Sequence, residues 1–537
     1  MIKNAAIASL FIILFIVSAC GNNEAAVNQT VGTEEALQNL NESGFPIVNE
    51  EIQLDVFVGK NASYKTSLED VKAFAKYEEM TNVDIQWDEI AVDVLAEKRN
   101  LALGGGQLPD AFYAAGISSL DLLKYGQQGT FIKLNDLIDE YAPNLKKLMD
   151  EDPQIEKSIM SADGNIYGFP RILDPDFLSL RLNPMLFHNK DWLDELGMDV
   201  PETTDEYYEY LKGIKENDVN QNGDSNDEIP YGGTSIVLLV NWLKGSYGIG
   251  NKGDLTFDLD PETDEMRFIP VQDGYKELLQ YVHKLYSEEL IAQDIFSIEW
   301  NTYLANAIDG KYGSTVFYSP DELLGETGES FVNGLPLIGP DGDQELATSA
   351  HPVFNLGTFT ITSENENPEA TVRWIDHFYS DEGAKLIYLG VEGESYEETE
   401  EGDYEFLDHI VNDPELTKEQ VLAKYAGYLN MGAPPSILKQ DFFKGSESSE
   451  MSLKAAEQLK PYVTEDTWPP FQYTEEESRI ISTVGNDIDK YVGEMRDKFI
   501  IGEVSFDVWD EYVETIEKMG LSEYIEVRKS ALERIEG

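Results

Sequence analysis

Cysteine is almost missing from this chain of 537 residues, which holds one, Cys20. No internal disulfide can form, so the fold rests on apolar burial. Histidine is scarce as well: His188, His283, His351, His377 and His409 are the only five. They lie far apart, with no HExxH spacing for zinc. No GxSxG nucleophile elbow and no Walker A run occurs. Gly248 to Gly253 spell GxGxxG, but the strand-like DLTFDLD follows, where dinucleotide binding needs strand, turn, then helix. Positive charge is the third shortage. Lys and Arg number 39 against 102 Asp and Glu, a formal net charge of −63. Such a surface repels nucleic acid and anionic headgroups. We read it as a solvated acidic shell, with adaptation to salt or high pH as a further expectation. Among so many carboxylates, a pair for glycoside hydrolysis can always be nominated, so abundance carries no signal.

Long apolar runs are also missing, save one at the N-terminus. Residues 1–20 read MIKNAAIASLFIILFIVSAC. Lys3 precedes an apolar stretch from Ala5 to Val17, short of the ~20 residues that span a bilayer. These are signal-peptide flanks. Val17-Ser18-Ala19-Cys20 is similar to a bacterial lipobox, with Val where Leu is commoner. The expectation is a signal peptide over 1–19 and diacylation (palmitate) of Cys20. Residues 20–49 become a polar tether on the outer face of the cell membrane.

What is present is globular: 42% apolar and 11% aromatic residues. The length exceeds what one core of about 250–300 residues holds, so two or more lobes are expected. IQLDVFVG alternates as a strand from Ile52, LEDVKAFAKYEEMTN (68–82) has helical spacing, and VDIQWDEI (83–90) is a second strand. A helix stopped by Gly104 to Gly106 and the strand LPDAFYAAG follow. Alternation of this kind implies a mainly parallel sheet flanked by helices. LSLRLN reads as extended, PEATVRWIDHFYSDEGAKLIYLG as one long amphipathic helix, and SYEETEEGDYE (395–405) as a solvated loop. The stretch from about 471 reads as nearly all helix.

DVNQNGDSNDEIP (218–230) places Asp218, Asn220, Asn222 and Asp224 at alternate positions with Gly223 sixth. An EF-hand loop uses oxygens at positions 1, 3, 5 and 7 around such a glycine. Asp227 and Glu228 can close the cage. Ile229 stands where the twelfth-position Glu would be, and Pro230 blocks an exit helix. The reading is a structural Ca²⁺ cage rather than a regulatory EF-hand; a metal-free Asx-turn loop is the competing reading.

These features together resemble the extracellular solute-binding lipoproteins of family 1, which serve ABC importers. The resemblance runs from the lipobox through AEKRNLALGGGQLPDAFYA, SADGNIYGFPRI and NKDWLDELGMDVPETTDEYYEYLKGIKENDVNQNGDSNDEIP to the C-terminal helices. It implies an α/β, two-lobe, periplasmic-binding-protein-like fold with hinge crossings near 165–171, 350–356 and 395–400, and a helical C-terminal extension. Lobe one would be 50–168 plus 352–396, and lobe two 169–351 plus 397–537. It implies capture of a carbohydrate, a neutral oligosaccharide, by lobe closure and delivery to permease subunits by a monomer, without catalysis. A peptide or uronide ligand, or a secreted glycoside hydrolase, is the alternative. Sugar faces stack on aromatics and clefts hold such ligands. The candidate ligand contacts are therefore Tyr113, Arg171, Trp242, Tyr247, Trp300, Tyr318, Glu392 and Tyr396. Trp192 and Trp374 are assigned to cores.

Overall fold

The computed structural model describes residues 32–536, apart from positions 106, 225 and 465. The expected signal peptide, Cys20 and the start of the tether lie outside the described residues. Two large, separate cores are present. One surrounds a six-stranded sheet in the order Ile437–Leu438, Phe169–Leu173, Val353–Ile361, Ala111–Ile117, Ile52–Lys60, Val83–Ala91. The other surrounds a four-stranded sheet in the order Phe331–Asn333, Met185–Asn189, Tyr312–Phe317, Ile229–Tyr231.

The alternation seen from Ile52 works as its pattern dictates: Leu54, Val56 and Val58 are buried in a strand that pairs in parallel on both edges. The sheet as a whole is mixed rather than mainly parallel. Val353–Ile361 runs antiparallel to both of its principal neighbours. It re-enters the first lobe from the second, so its direction follows from the crossing rather than from a βαβ unit. An aromatic cluster fills this lobe. Trp374 meets Tyr77, Trp87, Tyr113, Phe359 and Phe378 at centroid distances of 5.4 to 6.4 Å.

In the second lobe Thr203 caps the helix Thr204–Glu216 in a capping box with Glu206, as its Thr-initiated acidic start foretells. The long C-terminal helices Asn486–Ile501, Trp509–Met519 and Leu521–Glu536 pack on this core.

Four expectations shift. Residues 33–49 are not free tether. Ile47 and Val48 are buried in the first core, and the Arg373 guanidinium donates to the carbonyls of Asn41 and Gly44. LSLRLN is a short helix, Leu178–Arg181. The single helix expected from Pro368 is broken at Ser380, whose hydroxyl caps Asp381–Tyr388. The charge run at 395–405 is a hairpin, Tyr396–Glu398 against Tyr404–Phe406. That hairpin, with Ile437, Leu438 and Phe442, packs on the first core, and Phe169–Leu173 is one of its strands. By packing, then, segments 169–177, 396–406 and 431–443 lie with the first core rather than the second, and Ile410, Val421, Leu422 and Ala426 form a small cluster of their own beside it. The first crossing follows Phe177, and the third falls after Phe443 instead of near 395–400.

Candidate functional site

Strand ends set the geometry where the cores meet. Phe169–Leu173 carries the chain toward the second lobe, and Val353 receives it back three residues after Ala350. Between them lies a cavity of about 520 Å³ lined from both lobes. Arg171, Leu173, Val353 and Phe354 come from the first lobe. Asp254, Trp468, Phe471 and Arg528 come from the second. Sugar-sized ligands need this mixture of flat apolar rings and polar groups.

The Arg171 guanidinium lies 5.3 Å from the Phe354 ring, and its buried Nε has no partner. No carboxylate pairs with it among the described residues. Arg528 is held differently. Its guanidinium sits 4.2 Å from Phe471 and 4.7 Å from Phe257, pairs with Asp254, and donates to Tyr473 Oη at 2.7 Å. Burial alone would lower the Arg528 pKa, but Asp254 beside it raises it and keeps the charge. The Trp468 and Phe471 rings lie 5.4 Å apart, tilted at 48°. His351, on the second crossing, accepts the Val353 N–H at Nδ1; burial lowers its pKa to about 4, so it is neutral at pH 7. A larger hollow of about 1150 Å³ lies between the strand Val83–Ala91 and the helix Val92–Gly105. Its lining comes wholly from the first lobe, whereas the junction cavity is lined from both.

The nominated residues divide. Arg171 lines the junction. Trp300 and Tyr318 are solvent-facing rings, 45% and 41% exposed, on either side of Phe317 at the end of the central strand of lobe two. The others are corrected. Tyr113 is fully buried against Trp374 and Phe359, because its strand is central and covered on both faces. Trp242 and Tyr247 belong to the second core. Tyr396 is buried against Tyr404, and Glu392 is exposed beside that hairpin in lobe one, away from any crossing. Trp192 and Trp374 are core residues as assigned. Sequence reasoning missed Phe354, Trp468, Phe471 and Arg528. The run WPPF was the available signal: two prolines fix an extended segment between two rings.

The acidic loop folds around its own oxygens. Asp218 accepts from the backbone N–H of Asn222 and Gly223 at 3.1 and 2.9 Å, and Asn222 Oδ1 accepts from Asp224 at 2.8 Å. Gly223 has φ +92°, which the turn demands. The Asn220 and Asn222 amides donate to Asp227. Glu228 Oε2 is buried without any donor. Burial, with Asp227 and Asp218 adding to it, raises the Glu228 carboxyl above its usual range. No cluster of three or more His, Cys, Asp or Glu side chains poised for a metal occurs among the described residues. The donor set here is instead carboxylate plus amide oxygen, which suits a hard cation. The unpaired Glu228 oxygen fits that use.

Residues 62–385 match the family of bacterial extracellular solute-binding proteins. The chain belongs to that family. This solute-binding protein is 31% identical over 467 residues to the fructooligosaccharide ABC transporter substrate-binding protein FusA of Streptococcus pneumoniae, covering 84% of this chain and 85% of FusA. It is 25% identical over 477 residues to lipoprotein LipO of Bacillus subtilis, covering 84% and 86%. Among solved structures, FusA in complex with kestose superposes with a TM-score of 0.75 at 27% identity, over 89% of this chain and 98% of that one. A FusA EF-hand mutant in complex with fructo-nystose gives 0.74 at 27% identity, with the same coverage. Among the described residues of this solute-binding protein, no helix is long and apolar enough to cross a membrane.

Proposed function

We propose that this solute-binding protein captures a neutral oligosaccharide between its two lobes and presents it, unaltered, to the permease of an ABC importer. The observation that carries the reading is the junction cavity, where rings from both lobes stand beside polar groups that lack partners. Phe354, Trp468 and Phe471 offer apolar faces to sugar C–H groups, and Arg171 offers donors to hydroxyls. Trp300 and Tyr318 offer two further exposed rings on lobe two. An open form binds on one lobe and the closed form gains contacts from the other, so ligand shifts the population toward closure. FusA, which binds kestose, supports the substrate class. The protein acts as a monomer, tethered outside the membrane through Cys20, with LipO as a lipoprotein relative.

Calcium belongs to the same proposal. Asp218, Asn220, Asn222, Asp224, Asp227 and Glu228 would hold Ca²⁺ and stiffen the link between the helix Thr204–Glu216 and the strand Ile229–Tyr231. Its place is structural, since the loop contributes nothing to the junction lining. The FusA EF-hand mutant supports a cation loop in this lineage.

Calorimetric titration with kestose, nystose and a panel of other oligosaccharides tests the reading. Saturable heat with at least one glycan, recovered intact, is the expected result. Silence across the panel, or turnover of a glycan, overturns it.

A further inference from the structure

Beside the junction cavity lies a smaller one of about 200 Å³, lined by Asn183, Asn241, Val316, Thr348 and Ser349 among others. The two share Gly253 and Ala350 in their linings, so they adjoin. At about 30 Å³ per water, the smaller holds roughly six or seven waters, the space of one sugar ring.

Its polar groups are unusual. Asn183 Oδ1 and Nδ2, Thr348 Oγ1 and Ser349 Oγ are all buried, and none has a hydrogen-bond partner. Ser349 is 1% exposed. Buried polar side chains are ordinarily satisfied, and leaving one unpaired costs stability. Four such atoms, on three residues, gather around this one hollow and are free to meet a ligand. Their placement adds to this. Asn183 lies in the turn between Leu178–Arg181 and Met185–Asn189, while Thr348 and Ser349 lie on the second crossing. Gly253 lets its own loop approach the second crossing: at φ +70°, a Cβ there would meet the Ser349 carbonyl at 2.4 Å.

We propose that Asn183, Thr348 and Ser349 form a single-ring subsite that reads adjacent hydroxyls of one sugar residue. A carboxamide offers an acceptor and a donor in one plane. One hydroxyl of a vicinal pair donates to Oδ1, and its neighbour accepts from Nδ2. The Thr348 and Ser349 hydroxyls rotate to meet the remaining oxygens. Because these two stand on the crossing, a ring bound here also grips the segment that joins the lobes. This inference rests on the oligosaccharide reading above and assigns its specificity to this subsite.

The test uses the conservative variants Thr348→Val and Ser349→Ala in the full chain, with kestose and nystose as probes in calorimetry and with thermal melting in parallel. A hydroxyl that bonds nothing in the protein contributes nothing to the fold. Each variant should therefore melt at or above the wild-type temperature while binding about tenfold more weakly, which is about 1.4 kcal/mol. Asn183→Leu, of similar volume, should weaken binding by more than either. Wild-type affinity in all three variants overturns the subsite while leaving the oligosaccharide reading intact. Lowered melting temperatures with Thr348→Val and Ser349→Ala overturn it too, since the hydroxyls would then serve the fold. Absence of binding by the wild type to either sugar or to the wider panel removes both.

Discussion

Two tryptophans nominated alike by the sequence are predicted to behave oppositely when replaced by alanine. Trp300 is 45% exposed, its ring 5.8 Å from Phe317, whereas Trp242 is 1% exposed within the second core. An aromatic side chain buries up to about 250 Å², so roughly 110 Å² of the Trp300 ring is free for a ligand to cover. At about 25 cal/mol per Å², full coverage is worth about 2–3 kcal/mol. Stacking of bases on aromatic rings, a comparable contact, is worth about 1–3 kcal/mol. Trp300→Ala should thus weaken binding of kestose, or of whichever glycan the panel identifies, by about tenfold to a hundredfold. Its stability should fall by less than that of Trp242→Ala, because nearly half of the residue already faces solvent while the rest packs on Tyr303 and Phe317. Trp242→Ala should cost about 3–5 kcal/mol of stability through cavity formation, the range for a buried aromatic. Calorimetric titration gives the first quantity and chemical denaturation the second. Unchanged affinity in Trp300→Ala, with the ligand saturating normally, refutes the assignment of that ring to the binding surface. A small stability loss in Trp242→Ala refutes the packing argument.

Further outcomes follow from the same structure. Calcium at a hundred times its dissociation constant should stabilise the protein by about 2.7 kcal/mol, and Asp218→Ala should abolish the shift; identical melting in calcium and in chelator counts against the cage. Burial lowers the Lys244 ammonium to about 7, while in the unfolded chain it stays near 10.4. The unfolded state therefore binds more protons between these values, and this group makes stability rise as pH climbs from 7 to 10, by at most about 1.4 kcal/mol per unit. Lys244→Met should remove that rise, and parallel pH profiles for variant and wild type contradict the assignment. With a net charge of −63, repulsion across the surface should be relieved by salt, as screening shortens from about 30 Å at 0.01 M to 3 Å at 1 M. A melting temperature that stays flat over this range removes the electrostatic argument.

Periodic elements were readable because their burial is local. The strand from Ile52 and the capped helix from Thr204 appear where side-chain alternation and Thr203 put them. Lobe membership was harder. Ile437–Leu438 is two residues long, and its pairing with Phe169–Leu173 joins segments more than 260 positions apart, so no window of sequence contains the signal. The same limit governed the aromatics. Tyr113 and Tyr318 look alike as strand ends in the sequence, yet Tyr113 lies inside Ala111–Ile117, covered on both faces, and Tyr318 follows Phe317 where its strand finishes at solvent. The turn around Gly223 was legible because its oxygen-bearing residues, Asp218 to Glu228, lie within one short stretch. The junction rings were not, since Phe354 and Trp468 come to line one cavity only through the fold.

The central claim is that two lobes close on a carbohydrate. Small-angle X-ray scattering of the protein, free and then saturated with kestose and each panel glycan in turn, tests it most directly. A smaller radius of gyration with at least one glycan is the predicted result, and curves that superimpose for every one of them would contradict the account.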